Sequence, residues 1–210
     1  VYPDYTMQEF VSSRSYEDTS QIDNYSFITN KEKVKPPVIR NHIFFQKNSL
    51  YRKKDFKNSL LNLNSLGSYK YVNIEFKPKE KNGLNFLDAY VYMIPSKKQG
   101  FSVDLEGSNN FQGLLGVRVG FGYWNRNLTK HSDLFTVDVS SGVEFQFGQS
   151  NLVNSADANF GVKYRINRIL ATKKITELSR RAQPKTVFGL NFIFQRRIEF
   201  YTLNSTTFSF

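Results

Sequence analysis

The sequence predicts an α+β module followed by a long run of antiparallel β-strands. Three observations predict it. In the first half Phe56, Leu60 and Leu63 recur at helical spacing and close on Gly67, between segments of extended character. After Lys98 a strict two-residue alternation of apolar and polar residues begins and recurs in six segments. The composition joins 16% aromatic residues, Phe 20 and Tyr 12, to a mean hydropathy of -0.47, so large apolar residues are interleaved with polar ones.

At 210 residues the chain is long enough to bury a real core, in one large domain or two small ones. Cysteine is absent, which excludes disulfides, thiolate metal sites and thiol nucleophiles. No apolar run is long enough for a transmembrane helix, which leaves a membrane barrel open. The opening "VYPDYTMQEF" lacks a basic region followed by an apolar core, so it is not read as a signal peptide. The formal charge is +11, spread as 16 Lys/Arg against 10 Asp/Glu in residues 1–99 and 13 against 8 in the remainder. Its densest part, "RINRILATKKITELSRRAQPK" (165–185), suits a solvated loop, or contact with anionic lipid or a partner through Lys173, Lys174, Arg180 and Arg181. Such a spread does not single out nucleic acid.

Residues 1–37 read as an irregular strap ending at "VKPPV", where two prolines oppose regular pairing. "VIRNHIFF" (38–45) has the β-branched and aromatic content of a strand. "YRKKDFKNSLLNLNSLG" (51–67) is the helix. "YKYVNIEFKP" (69–78) and "NFLDAYVYMIP" (85–95) are strands joined by the turn-forming "KEKNG". The module therefore spans 38–98, its helix covering one face of a sheet. From 99 to 210 the expected strands are 100–108, 113–124, 134–148, 158–166, 187–197 and 201–210, the boundary falling near 97–100.

Alternation over about ten residues fits a soluble sandwich, apolar side in, or a transmembrane barrel, apolar side out. Three features favour the barrel. The strands exceed the usual five or six residues. In "GLLGVRVGFGYW" the row Leu115, Val117, Val119, Phe121 and Tyr123 is backed by Gly116, Arg118, Gly120 and Gly122, and a solvent face gains nothing from such glycines. Tyr123 and Trp124 lie at a strand end, where interfacial aromatic girdles occur. On this reading Gly116, Arg118, Gly120 and Gly122 line the lumen, and Arg118 must be hydrated or paired there, since a basic side chain at the lipid midplane costs about 2–4 kcal/mol.

The segment "NSLYRKKDFKNSLLNLNSLGSYKYVNIEF", with "LDAYVYMIP" after it, resembles a POTRA domain of the BamA/TamA outer-membrane assembly family. "KKQGFSVDLEGSNN", "GVRVGFGYWNRNLTKHSD" and "FGLNFIFQRRIEFYTLNSTTFSF" resemble barrel segments of the same family, a likeness covering about residues 38–210. The resemblance implies an α+β POTRA module in the periplasm of a Gram-negative bacterium, followed by antiparallel strands of an outer-membrane β-barrel. It implies no enzyme, cofactor or metal. Its partners would be outer-membrane lipid, unfolded outer-membrane protein clients and periplasmic or lipoprotein accessory subunits. The first barrel strand would be the lateral gate, with Phe101, Val103, Leu105 and Gly107 on one face and Asp104 and Glu106 towards the lumen. The family barrel has more strands than six, so the chain is expected to be part of a longer protein. It also implies a sidedness in which 165–185 is periplasmic. The alternatives are a protein-secretion pore of the same superfamily and a soluble secreted β-sandwich binding module.

Catalytic patterns are weak. The histidines, His42 and His131, lie without clustered carboxylates, and no triad forms. "GVRVGFG" lacks the Gly-Lys-Ser/Thr of a phosphate-binding loop. Glu75 and Asp88 fall on separate strands of the first module and Asp104 and Glu106 on one strand after it, so the four read as solvated or lumenal groups.

Overall fold

The computed structural model of the chain describes residues 18–22, 24–29, 34–81, 83–109, 114–146, 152–170 and 183–210. These are mostly antiparallel β-structure, with two helices. They divide into two compact units, and the first passes to the second between Ser96 and Lys97. Residues 129–132, Leu170, Gln183 and Pro184 group with the first unit.

The first unit opens on a hairpin, β1 (Asp18–Ile22) and β2 (Tyr25–Thr29), paired from Ile22–Tyr25 outward. The expected strap is thus partly regular. Next comes α1 (Pro36–Asn41), where a strand was expected over 38–45. The correction has a local cause. Pro36 stands at the first helical position, where its fixed φ suits the turn and its missing N–H costs nothing. His42 then closes α1, its backbone N–H donating to Ile39 O at 2.9 Å and its Nδ1–H to Val38 O at 2.7 Å.

α2 (Lys53–Ser65) buries Ser59, Asn62 and Leu63. The two polar groups are satisfied locally: Ser59 Oγ donates to Asp55 O (2.7 Å) and accepts from Phe44 N (2.9 Å), and Asn62 Nδ2 donates to Asn58 O (3.0 Å). Gly67, at φ 73°, supplies the left-handed residue that ends the helix.

β3 (Tyr69–Lys81) and β4 (Leu84–Pro95) pair antiparallel. Their inner residues Val72 and Ile74 join Val34, Ile39, Ile43, Leu63 and Leu66 in the core of this unit. Phe76 is ringed by Phe45, Tyr51 and Phe56 at centroid distances of 5.1–6.0 Å. The strands, at about 3.3 Å per residue, are roughly twice as long as α2 at about 1.5 Å per residue. The described side chains from Pro78 to Leu87 are accordingly exposed.

The second unit is one six-stranded antiparallel sheet in sequence order: β5 (Gln99–Asn109), β6 (Leu114–Arg126), β7 (Leu134–Gln146), β8 (Val153–Ile166), β9 (Thr186–Arg197) and β10 (Tyr201–Ser209). The register sorts the alternating residues onto two faces. One carries Phe101, Val103 and Leu105, then Leu115 to Tyr123, then Val137, Val139 and Val143, then Ala156 to Tyr164, then Phe188 to Phe194. The other carries mainly Ser, Asp, Glu, Asn, Arg and Gly, with Leu114, Trp124 and Ile193 among them. Leu114 is the sole buried apolar residue of this unit among the described residues.

Candidate functional site

β5 is an edge strand: among the described residues it pairs with β6 alone, as β10 pairs with β9 alone. Its apolar row is strongly exposed, Phe101 at 73%, Val103 at 66% and Leu105 at 76%. Gly107 falls on that face, opposite Val117, while Asp104 and Glu106 project from the other, opposite Gly120 and Arg118. The six candidate edge residues are thus divided between the faces as the alternation requires.

Gly116, Arg118, Gly120 and Gly122 share the polar face of β6. The glycines give room to neighbouring side chains. A Cβ on Gly122 would lie 2.7 Å from Ser102 Oγ and 3.4 Å from Asp138 Oδ1, and one on Gly116 would collide with Ser108 Oγ. Arg118 is paired. Its guanidinium donates to Asp157 Oδ1 at 3.0 Å, passing over Gly142, which lies directly opposite it. Farther along the face Ser155 Oγ donates to Glu144 at 2.6 Å.

The aromatic pair Tyr123 and Trp124 separates. Tyr123 is on the apolar face and donates to Gln99 Oε1 at 3.0 Å. Trp124 is on the polar face, its ring against Gly100 and the Arg126 guanidinium 4.2 Å above it, so only Tyr123 suits an apolar-face girdle. Tyr164, also on the apolar face, anchors to Asp133 Oδ2 at 2.5 Å.

Asp157 and Gly142 went unnoticed in the sequence because they are partners of Arg118 only once three strands lie in register. Period-two counting places each on the right face but does not pair them. β10 departs from the pattern: its Thr202, Asn204 and Thr206 continue the apolar face beside Arg196, Phe194 and Phe192. Ser141, polar within the apolar row of β7, is satisfied by donating to Asp157 O at 3.0 Å.

Lys173, Lys174, Arg180 and Arg181 lie outside the described residues. Among the described residues no group of His, Asp and Glu has the arrangement to hold a metal, and no helix is long and apolar enough to cross a membrane. His131 contacts Thr129 O at 2.9 Å through Nδ1 and lies 3.4 Å from Lys35 Nζ through Nε2. In the first unit burial pushes the Tyr69 hydroxyl well above the ordinary tyrosine range. No protein-family model matches the chain, and no curated protein matches it.

Proposed function

We propose that the chain is part of a BamA/TamA-type outer-membrane assembly or translocation factor, with residues 38–98 a POTRA module in the periplasm and 99–210 the first strands of the barrel. One observation carries the membrane reading: among the described residues the apolar face from β5 to β9 has no layer over it, with Phe101, Val103 and Leu105 about two-thirds exposed or more. An uncovered face of that width in water is an aggregation surface, whereas in lipid it is a solvated one. Strand length agrees. β5 to β9 have 11–14 residues. At about 3.3 Å per residue and a tilt of about 40° that rises roughly 28–35 Å, close to the roughly 30 Å hydrocarbon core.

The working part is β5. An edge strand presents free backbone donors and acceptors, and these template an incoming strand without demanding a particular client sequence. A client paired in register with β5 would turn its apolar side chains to lipid beside Phe101, Val103 and Leu105, and its polar ones to the side of Asp104 and Glu106. The POTRA module would receive unfolded outer-membrane protein clients or accessory subunits. No nucleotide, metal or bond-making step is needed, since the driving force is pairing and burial in lipid.

The test places an environment-sensitive fluorophore on a cysteine at Val119 or at Ser140, adjacent levels on opposite faces, in liposomes containing spin-labelled lipid. Quenching at 119 and little at 140 is expected. Equal protection of both from lipid, with a chain soluble without detergent, would replace this reading by the soluble sandwich.

A further inference from the structure

We propose that β5 has two pairing registers on β6: the observed one, and one displaced by two residues in which Asp104 stands opposite Arg118. The basis is which residues oppose β5 on its polar face. In the observed register the pairs there are Gly100–Trp124, Ser102–Gly122, Asp104–Gly120, Glu106–Arg118 and Ser108–Gly116. Four of these five contain a glycine, so apart from the Trp124 ring on Gly100 side chains contribute little to fixing the register on that face.

The displaced register keeps both faces as they are, because a two-residue shift preserves the pleat. On the polar face it sets Ser102 against Gly120, Glu106 against Gly116, and Asp104 in place of Glu106 against Arg118. On the apolar face it sets Phe101 against Phe121, Val103 against Val119 and Leu105 against Val117, so every large apolar residue of β5 still meets an apolar one. Ten of the eleven paired β5 residues keep a partner within β6, and only Asn109 passes the strand end at Leu114. Its costs are the Arg126 N–H to Lys98 O bond of 2.6 Å, the seat of the Trp124 ring against Gly100, and the approach of Glu106 towards Glu144 across Gly116.

A shift in the opposite sense is worse on both faces. It sets Phe101 against Asn125, removes the acid opposite Arg118, and aligns Asp104 with Asp138 across Gly122. The shift therefore has one direction. Interior pairs do not share this freedom: on the polar face of β7 and β8, Thr136 opposes Lys163, Ser140 opposes Asn159 and Glu144 opposes Ser155, whose Oγ donates to it, while Ser141 is tied to Asp157. As regulation of strand capture the second register rests on the function proposed above; as a property of the sheet it does not.

The chain has no cysteine, so paired cysteines report register directly. Opposed residues bring Cβ atoms within about 5.5 Å, near disulfide reach, and diagonal ones lie about 7–8 Å apart. Ser102→Cys with Gly122→Cys reads the observed register, and Ser102→Cys with Gly120→Cys the displaced one. Asp138→Cys with Asn159→Cys is the equivalent diagonal on the interior pair β7–β8. The expected result is that 102/122 and 102/120 both trap, the latter at least fivefold above 138/159. Adding Gly122→Ala to the 102/120 pair should raise trapping further, since its Cβ crowds residue 102 in the observed register and meets Gly100 in the displaced one. Yields for 102/120 no higher than for 138/159, unmoved by Gly122→Ala, would overturn the second register. Trapping is read on a gel without any client. If both registers trap and no client inserts, the register inference stands and the assembly function falls.

Discussion

Arg118 on β6 and Asp157 on β8 form a 3.0 Å ion pair that passes over the intervening strand at Gly142. The pair exists because Gly142 has no side chain. A Cβ there would lie 2.9 Å from Asp157 Oδ1 and 3.4 Å from Arg118 Nε. On the proposed reading of a barrel wall a basic residue in its middle must be hydrated or paired, and Arg118 is both: its side chain remains 45% exposed.

Gly142→Val and Asp157→Asn should each destabilise the sheet by about 1 kcal/mol or less, as partly exposed pairs do. Both remove one interaction, so their effects should be less than additive in a double-mutant cycle. Urea titration of the refolded protein in detergent measures this. Full additivity would show that Arg118 and Asp157 do not interact through the space above Gly142.

Opposite faces should respond oppositely to charge. Val119→Lys should disfavour folding into liposomes by about 2–4 kcal/mol if that residue meets acyl chains, while Ser140→Lys on the polar face should change it little. The measurement is the fraction of heat-modifiable folded band against urea concentration. The reverse order would turn the sheet around.

For the edge strand, Val103→Pro removes a backbone donor and stiffens β5. Client insertion into liposomes should fall more for Val103→Pro than for Val139→Ala on the interior β7, once both variants are shown to be folded. Equal rates would remove β5 from the role of gate.

Tyr69 makes the first unit alkali-sensitive. Its folded pKa is raised by burial above the ordinary value of 10.0, so between these values the unfolded chain loses a proton that the folded chain keeps. The stability it contributes is full below pH 10 and declines above it, by about 1.4 kcal/mol per pH unit. Hydrogen exchange of α2 amides, corrected for intrinsic rates, should report opening that rises above pH 10, and Tyr69→Phe should flatten the rise. An unchanged profile in that variant would mean that another group is responsible.

What was legible in the sequence followed from periodicity. Rows such as Leu115 to Tyr123 and Val137 to Val143 specify strand and face together, because a one-residue slip would expose the wrong side. Residues 38–45 misled because their β-branched and aromatic content outweighs two prolines in a count of residue types. In the chain Pro36 starts a helix, and Ile39 and Ile43 reach the core from α1 and the turn after it. The β1–β2 hairpin was hidden because its strands are five residues each and β1 is largely polar. At the site, the glycines signalled a face where side chains are missing. Which side chains fill that space, Ser102, Ser108, Asp157 and the Arg118 guanidinium, depends on cross-strand alignment, and a single strand holds no record of that.

Trp124 is the chain's one tryptophan, and its ring is seated against Gly100 of the edge strand with Arg126 above it. The protein therefore has an intrinsic optical reporter where β5 meets β6. While Gly100 covers the indole, its emission should be blue-shifted and weakly accessible to iodide; when the strand slides or leaves, water reaches the ring and the emission moves to the red. Fluorescence of unlabelled protein can time that event in stopped flow as a client of the proposed assembly function is added. Emission unchanged through a productive insertion would show that Gly100 never leaves the indole.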